Sequence, residues 1–481
     1  MILKISTSFS ALRGAQRAEA VLDPGTFLPL TDVTTDSPFV AGAGLISGAP
    51  VLIALMDGHV RGGTIGVRES SILARVAENA AAGHVRGQRP LALIIGFDTG
   101  GVRVEEGPIA LAAASAVGVA LARLTLSGVH LAAVISGPRG CFGAPAVMAA
   151  LPERIIMTAD AHWGLTGPKL LGGLLDGATG EQEGFAATSA HTRVANGDAH
   201  VVVPDDADAV RVQLRALVRD LVADAGNGRG ADLEDHLIVS AATTDHLRSR
   251  LHNAPDAARH QSALPRRRDL LRFSFRGQWQ PTGPIQRRGL VHAALGKLRN
   301  RPAVGFIVGP EQARGSGVGI EEAAVVTDML RIAAERGGDD RASILTFLFC
   351  QGHAVDFAQE RFGLQRALAE CLRAMVAARL RGHPIISILG GGTYGAAYLA
   401  LAAPSHRILA IRGTSVAPMA PQVLRAFQAL RGQKTGHEAS TQLAELIPDI
   451  RMVESVIRLP RVLGEELTAL LETVRPEVHA A

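Results

Sequence analysis

Residues 137–145 read GPRGCFGAP and lie between an apolar run at 131–135, LAAVI, and a small-residue run at 144–150. That order predicts a strand, a glycine turn and a helix start. Glycines at 140 and 143 let the main chain bend sharply and let a ligand approach it closely. Backbone N–H groups at such a turn, with the positive end of the following helix, favour negative charge developing on a substrate oxygen. The stretch therefore predicts an oxyanion-binding turn at the end of a buried strand.

The pattern occurs twice. Residues 386–397 read ISILGGGTYGAA, again an apolar run, a glycine turn and a small-residue helix. A shift of 252 positions places Gly140 on Gly392, Phe142 on Tyr394, Gly143 on Gly395 and Pro152 on Pro404. The same shift pairs Phe97 with Phe349, Gly100 with Gly352 and Pro50 with Pro302, and one further residue pairs Gly66 with Gly319 and Glu69 with Glu322. Matches in one register, nearly all at strand ends, indicate a duplicated α/β domain with its function at those ends.

The chain has 481 residues and 47% hydrophobic content, enough for two ordinary cores. Basic residues number 49 and acidic 45, spread along the chain, and aromatics are 4%, a balance that argues against a nucleic-acid partner. Three scattered cysteines, Cys141, Cys350 and Cys371, suit neither a disulfide framework nor a four-cysteine zinc site, so no metal and a reducing cytoplasm are expected. Residues 1–14 lack a signal-peptide core, and no apolar run is read as reaching the roughly 18 residues of a membrane span, so no membrane partner is expected either.

Working outward, strands are expected at 51–57, 91–96, 131–135 and 154–158, with helices over 11–22, 72–82, 108–124 and 208–223. Residues 175–200 are polar and glycine-bearing and read as a loop or lid, and 252–286 as an irregular linker. In the second half, strands are expected at 303–308, 344–349 and 407–411, a glycine turn at 314–319, helices from 321 and over 360–380, and helix for most of the remainder.

The runs DTGGVRVEE at 98–106, GCFG at 140–143 and GLTGP at 164–168 resemble the crotonase superfamily, and within it the paired acyl-thioester carboxyltransferase and decarboxylase subunits. The nearest likeness is to the β and γ subunits of malonate decarboxylase, joined here in one chain; the γ-like half is marked by 366–378 and by GHPII at 382–386. The resemblance implies an α/β fold of two tandem crotonase-like (carboxyltransferase) domains, each with mixed β-sheets flanked by helices. Residues 1–260 would form the β-like domain, 261–288 a linker and 289–481 the γ-like domain.

It also implies biotin-independent decarboxylation of a malonyl thioester to the acetyl thioester, through an enolate held in a backbone oxyanion hole. No covalently bound cofactor is implied; phosphopantetheine of an acyl carrier protein, or coenzyme A, carries the substrate. Implied partners are an acyl carrier protein subunit and other malonate decarboxylase subunits, with self-association or hetero-oligomers. Candidate catalytic residues are Gly140, Cys141, Phe142, Gly143, Gly392, Thr393, Tyr394, Gly395 and His353. Candidate substrate-binding residues are Gly62, Gly63, Thr64, Gly66, Thr99, Gly100, Gly101, Thr166, Gly315, Gly317 and Gly319. Cys141 also reads as a small packed residue, Asp98 as a turn former, and Glu69 and Glu322 as helix-dipole partners. Two other activities stay open: a biotin-dependent acyl-CoA carboxyltransferase subunit, and a silent scaffold that binds an acyl carrier.

Overall fold

The computed structural model describes residues 7–30, 37–82, 90–127, 129–175, 177–225, 233–253, 279–282, 286–288, 290–298, 300–309, 317–334, 341–350, 352–432, 444–455 and 458–476. The chain forms two compact units, Met1–Glu106 with Ala116–Ala231, and Gly107–Ser115 with Asp232–Ala481.

The first unit is built on a seven-stranded mixed sheet whose spatial order follows the sequence: β1 (Leu28–Pro29), β2 (Phe39–Ile46), β3 (Ala49–Met56), β4 (Ala92–Phe97), β5 (His130–Ile135), β6 (Arg154–Thr158) and β7 (Val201–Val203). Pairing is antiparallel from β1 to β3 and parallel from β3 to β7. The parallel strands are unbroken apolar runs because helices cover both faces of such a sheet. Helices α1 (Ala15–Val21), α2 (Val67–Ala81), α3 (Gly107–Thr125) and α4 (Ala144–Met148) alternate with them. The long α8 (Ala207–Ala225), after α5 (Pro168–Leu175), α6 (Gly177–Thr188) and α7 (Ala190–Ala195), closes the core. One core layer joins Ala18, Val21 and Leu22 of the N-terminal segment with Val210, Leu214, Leu217 and Leu221 of α8 over Val51, Ile53, Ile94, Val134 and Ile156 of the sheet. Burying each large aliphatic side chain contributes about 1.5–3 kcal/mol.

The second unit repeats the plan. Its sheet runs β8 (Trp279–Pro281), β10 (Val291–Leu298), β11 (Arg301–Val308), β12 (Ser343–Leu348), β13 (Ile385–Leu389), β15 (Arg407–Ile411) and β17 (Ile450–Val453), with β9 (Gln286–Arg288) also on β10. A separate ribbon pairs β14 (Gly392–Tyr394) with β16 (Ser415–Ala417). β2 and β10 begin at 39 and 291, β3 and β11 at 49 and 301, each 252 apart. α2 and α10 (Ile320–Ala334) begin at 67 and 320, one residue further. Helices α11 (Phe357–Arg361), α12 (Leu364–Leu380), α13 (Gly395–Leu401) and α14 (Pro421–Leu430) follow, and α15 (Leu459–Thr473) covers one sheet face with Leu459, Leu463, Leu467 and Leu470 at helical spacing.

Several local expectations change. Most of residues 175–200 is helical rather than a loop or lid. Glycines here serve helix crossing: a Cβ on Gly184, inside that stretch, would lie 2.6 Å from the Pro168 oxygen, and one on Gly172 of α5 2.5 Å from the Glu181 nitrogen. Helix α9 (Leu233–His252), unread in the sequence, belongs to the second unit, where the Ser240 hydroxyl donates to Glu370 (2.9 Å) and Thr244 bonds Thr327 (2.6 Å). The stretch Val104–Thr125 is long and apolar enough to cross a membrane, contrary to the reading above, but 61% of its most apolar 18-residue window is buried inside the protein, as for a core helix. Most of the 261–288 linker lies outside the described residues.

Candidate active site

In the first unit, three turns follow the carboxyl ends of β3, β4 and β5, and the backbone stitches them edge to edge. The Gly100 N–H donates to the Gly62 carbonyl (2.9 Å), Ile65 N–H to Gly101 (3.0 Å) and Arg103 N–H to Ile65 (2.8 Å). The Thr99 N–H reaches the Gly140 carbonyl (2.8 Å), and Cys141 exchanges bonds with the next segment, its N–H to His162 (2.9 Å) and its carbonyl from Gly164 (3.1 Å). Bridges Ile65–Val102, Thr99–Cys141 and Cys141–Trp163 result. Thus Gly62, Gly63, Thr64, Gly66, Thr99, Gly100, Gly101 and 140–143 meet at one sheet edge. Thr166 follows Leu165, whose carbonyl accepts from Gly143 N–H (3.0 Å).

Charged groups hold these turns from behind. Arg103 donates to the Thr64 carbonyl (2.9 Å) and pairs with Glu106 (2.5 Å) and Glu69 (3.2 Å). Glu69 accepts from Gly66 N–H (2.9 Å) and Glu106 from Val67 N–H (2.7 Å), so both carboxylates cap α2. The helix-partner reading of Glu69 therefore matches the geometry. Burial raises the Glu106 carboxyl, but the Val67 N–H and Arg103 hold it below its ordinary range. A second support lies behind Trp163: the Arg193 Nε donates to the Trp163 carbonyl (2.8 Å), its guanidinium sits over the indole and pairs with Asp198 (3.2 Å), all fully buried.

The second unit carries the corresponding arrangement. Val318 bridges His353, with Val318 N–H to Gly352 (2.9 Å) and Ala354 N–H to Val318 (3.0 Å). Gly319 N–H donates to Glu322 (2.9 Å) and Ile320 N–H to Gln359 (2.9 Å), the latter where Glu106 caps Val67 in the first unit. Gly317 lies against the His353 backbone, 2.3 Å from a Cβ built on it. Gly315 lies outside the described residues. Gly392–Tyr394 is a strand rather than the expected turn, which falls at Gly390 and Gly391; Gly395 then opens α13. Thr393 is fully buried and its hydroxyl has no hydrogen-bond partner among the described residues, while Tyr394 packs against Ala417 and Ala420.

The oxyanion-donor reading of the 140–143 turn and the turn-former reading of Asp98 need correction. The N–H groups of Gly140, Cys141 and Gly143 are already donated within the fold, Gly140 to Gly137 (3.0 Å), so an oxyanion donor on this turn has to be another N–H. A Cβ on Gly140 would lie 2.1 Å from the His162 carbonyl oxygen, so this glycine permits backbone approach and substitution there would disturb the fold. Cys141 is fully buried and burial pushes its thiol well above its ordinary value, in keeping with its reading as a packed residue. Asp98, taken as a turn former, is instead a buried partner of Arg17. Eighty-one positions separate the two, and nothing local in the sequence marks the pair.

A carboxyl transferase domain family model matches residues 15–439. The chain belongs to this carboxyl transferase family. Its relatives include the acetyl-coenzyme A carboxylase carboxyl transferase subunits beta/alpha of Salinispora tropica, 26% identical over 403 residues, 80% of this chain and 66% of that one. The malonyl-S-ACP:biotin-protein carboxyltransferase MADC of Malonomonas rubra is 28% identical over 190 residues, 34% of this chain and 59% of that one. This carboxyl transferase chain thus spans less than two thirds of either relative. Among solved structures, the Pseudomonas malonate decarboxylase MdcD-MdcE hetero-dimer is 34% identical, covering 45% of this chain and 89% of that chain, with a TM-score of 0.38.

Proposed function

We propose that this carboxyl transferase chain joins a β-like and a γ-like half and decarboxylates a malonyl thioester without biotin. The malonyl group would arrive on the phosphopantetheine of an acyl carrier protein or on coenzyme A, and further subunits of a malonate decarboxylase would be its partners. The observation that carries this reading is the stitched set of turns at the carboxyl edge of the first unit's parallel sheet, repeated in the second. Loss of CO₂ breaks one carbon–carbon bond and leaves its electron pair on the thioester enolate. The barrier falls when main-chain dipoles are already aimed at that oxygen, and a proton on carbon completes the acetyl group.

The side chains fit chemistry that needs no covalent intermediate. The thiols of Cys141 and Cys350 are buried, the latter pushed up to about 11. Burial lowers His353 to about 4, so near neutral pH it offers a hydrogen bond rather than a mobile proton. The malonyl thioester named for the Malonomonas relative supports the substrate class.

Biotin-dependent carboxyl transfer is the second reading, favoured by the carboxyltransferase names of the relatives above. The test is CO₂ release from malonyl-coenzyme A by the purified chain, without and with a biotinyl carrier. Release without biotin supports decarboxylation, and release or transfer only with the carrier supports the second reading. Bound malonyl thioester with no turnover points to a scaffold.

A further inference from the structure

The first unit's three turns converge on one buried carboxylate. Asp98 Oδ2 accepts from Arg17 Nη2 (2.8 Å) and from Gly58 N–H (3.1 Å), and the two side chains are 1% and 2% exposed. A Cβ on Gly58 of the first turn would lie 2.4 Å from Asp98 Oδ1, and one on Gly137 of the third turn 2.8 Å from it. Carboxylate and turns are therefore in direct apposition on both sides. Arg17 fixes the same place from below, donating to the carbonyls of Ser10 (2.6 Å), Leu12 (2.8 Å) and Met56 (2.7 Å), the last residue of β3. Asp98 Oδ1 has no hydrogen-bond partner among the described residues, and the Arg17 ion pair on Oδ2 supplies a balancing charge.

Among the described residues, the second unit places an apolar side chain at the corresponding position. Asp98 directly follows β4 and Phe349 directly follows β12, and the sheet pairing aligns Ala92 with Ser343, so Phe349 falls on Asp98 rather than on Phe97 as in the sequence shift. A Cβ on Gly390, which begins the turn after β13, would lie 2.2 Å from the Phe349 ring. Among the described residues, an apolar ring thus packs against the turn after β13 where the first unit sets a charged pair behind the turn after β5.

We propose that Arg17 and Asp98 are a positioning pair for the first unit's site, setting the spacing of its three turns and tying the N-terminal segment to turnover. This deepens the function proposed above and rests on it. The pair does not touch the reacting atoms. It acts through Gly58, Gly137 and the Thr99 turn.

The test compares Arg17→Met, Arg17→Lys, Asp98→Asn and the double variant Arg17→Met/Asp98→Asn. Melting temperature, kcat and KM for malonyl-coenzyme A below the melting range, and hydrogen exchange of peptides covering 57–66 and 137–143 are measured. Arg17→Met leaves a buried carboxylate unbalanced, and the double variant removes that imbalance. The proposal expects kcat to fall at least about tenfold in Arg17→Met with KM changed less than about threefold. It expects faster exchange in both turns, partial rescue by Arg17→Lys, and a double variant that regains melting temperature but not kcat. A double variant regaining both shows a structural pair only and overturns the proposal, as do wild-type kcat and exchange in Arg17→Met. If Arg17→Met does not fold, Asp98→Asn decides by the same readouts. If the wild type turns over no malonyl-coenzyme A, the function proposal fails by itself, and the positioning role stands or falls on the exchange of the two turns.

Discussion

Gly62 and Gly63 lie side by side in the first turn with nearly the same backbone angle, φ +65° and +63°, and so form a matched pair. A methyl group added at Gly62 meets nothing within 4 Å, whereas one at Gly63 would lie 1.9 Å from the Asp98 carbonyl oxygen and 3.1 Å from the Thr99 Cα. A left-handed backbone costs a residue with a Cβ about 1–2 kcal/mol. Lost freedom in the unfolded chain offsets about 0.4–1 kcal/mol of that. Gly62→Ala should therefore cost about 0–1.5 kcal/mol. Gly63→Ala carries comparable strain and must also push the turn off the Asp98–Thr99 peptide, an overpacking cost of about 1–3 kcal/mol. At about 2–4 °C per kcal/mol for a unit of this size, Gly63→Ala should melt about 2–12 °C below Gly62→Ala. Differential scanning calorimetry of the two variants measures this directly. Turnover should follow, because the Gly100 N–H to Gly62 carbonyl bond joins the same two turns. Equal melting temperatures would show that the turn moves freely and would refute the rigid, stitched edge.

Other outcomes follow from the same geometry. The folded Glu106 carboxyl titrates below 4.5, so its stabilisation is complete above that value and is lost as pH falls through the lower folded value. The stability gap between wild type and Glu106→Gln should therefore narrow in thermal melts as pH falls below 4.5. His353 is held neutral in the fold, with its value moved from 6.5 to about 4. The unfolded chain takes up that proton first, so wild type should lose stability as pH falls through this window, and His353→Gln should lack that part of the slope. Arg193→Met removes the buried Asp198 ion pair and the bond to the Trp163 carbonyl, at about 3–5 kcal/mol. Its melting temperature should drop by about 6–20 °C, and a drop under about 2 °C contradicts the buried strut.

Much of the fold was legible because buried parallel strands are continuous apolar runs: 154–158 and 407–411 were read with the bounds the strands have. β2, FVAGAGLI, escaped because glycines interrupt its pattern. Those glycines make room for neighbours, with a Cβ on Gly42 falling 2.2 Å from the Phe27 ring and one on Gly44 2.6 Å from Leu22. β17 is four residues in a stretch read as helix, and its sheet position depends on pairing with β15. At the site, glycines marked the turns and the repeat marked their partners. Which N–H groups the fold itself uses is a tertiary matter, as are the pairing of Arg17 with Asp98 and of Arg193 with Asp198. No local pattern carries that information.

The central claim is that a malonyl thioester loses CO₂ here without biotin. The most direct measurement is acetyl thioester formed per malonyl thioester consumed by the purified chain, with excess avidin present to sequester biotin. The account predicts one acetyl thioester per CO₂ released, at a rate avidin leaves unchanged. Turnover that avidin abolishes, or that appears only after a biotinyl carrier is added in excess of avidin, would contradict it.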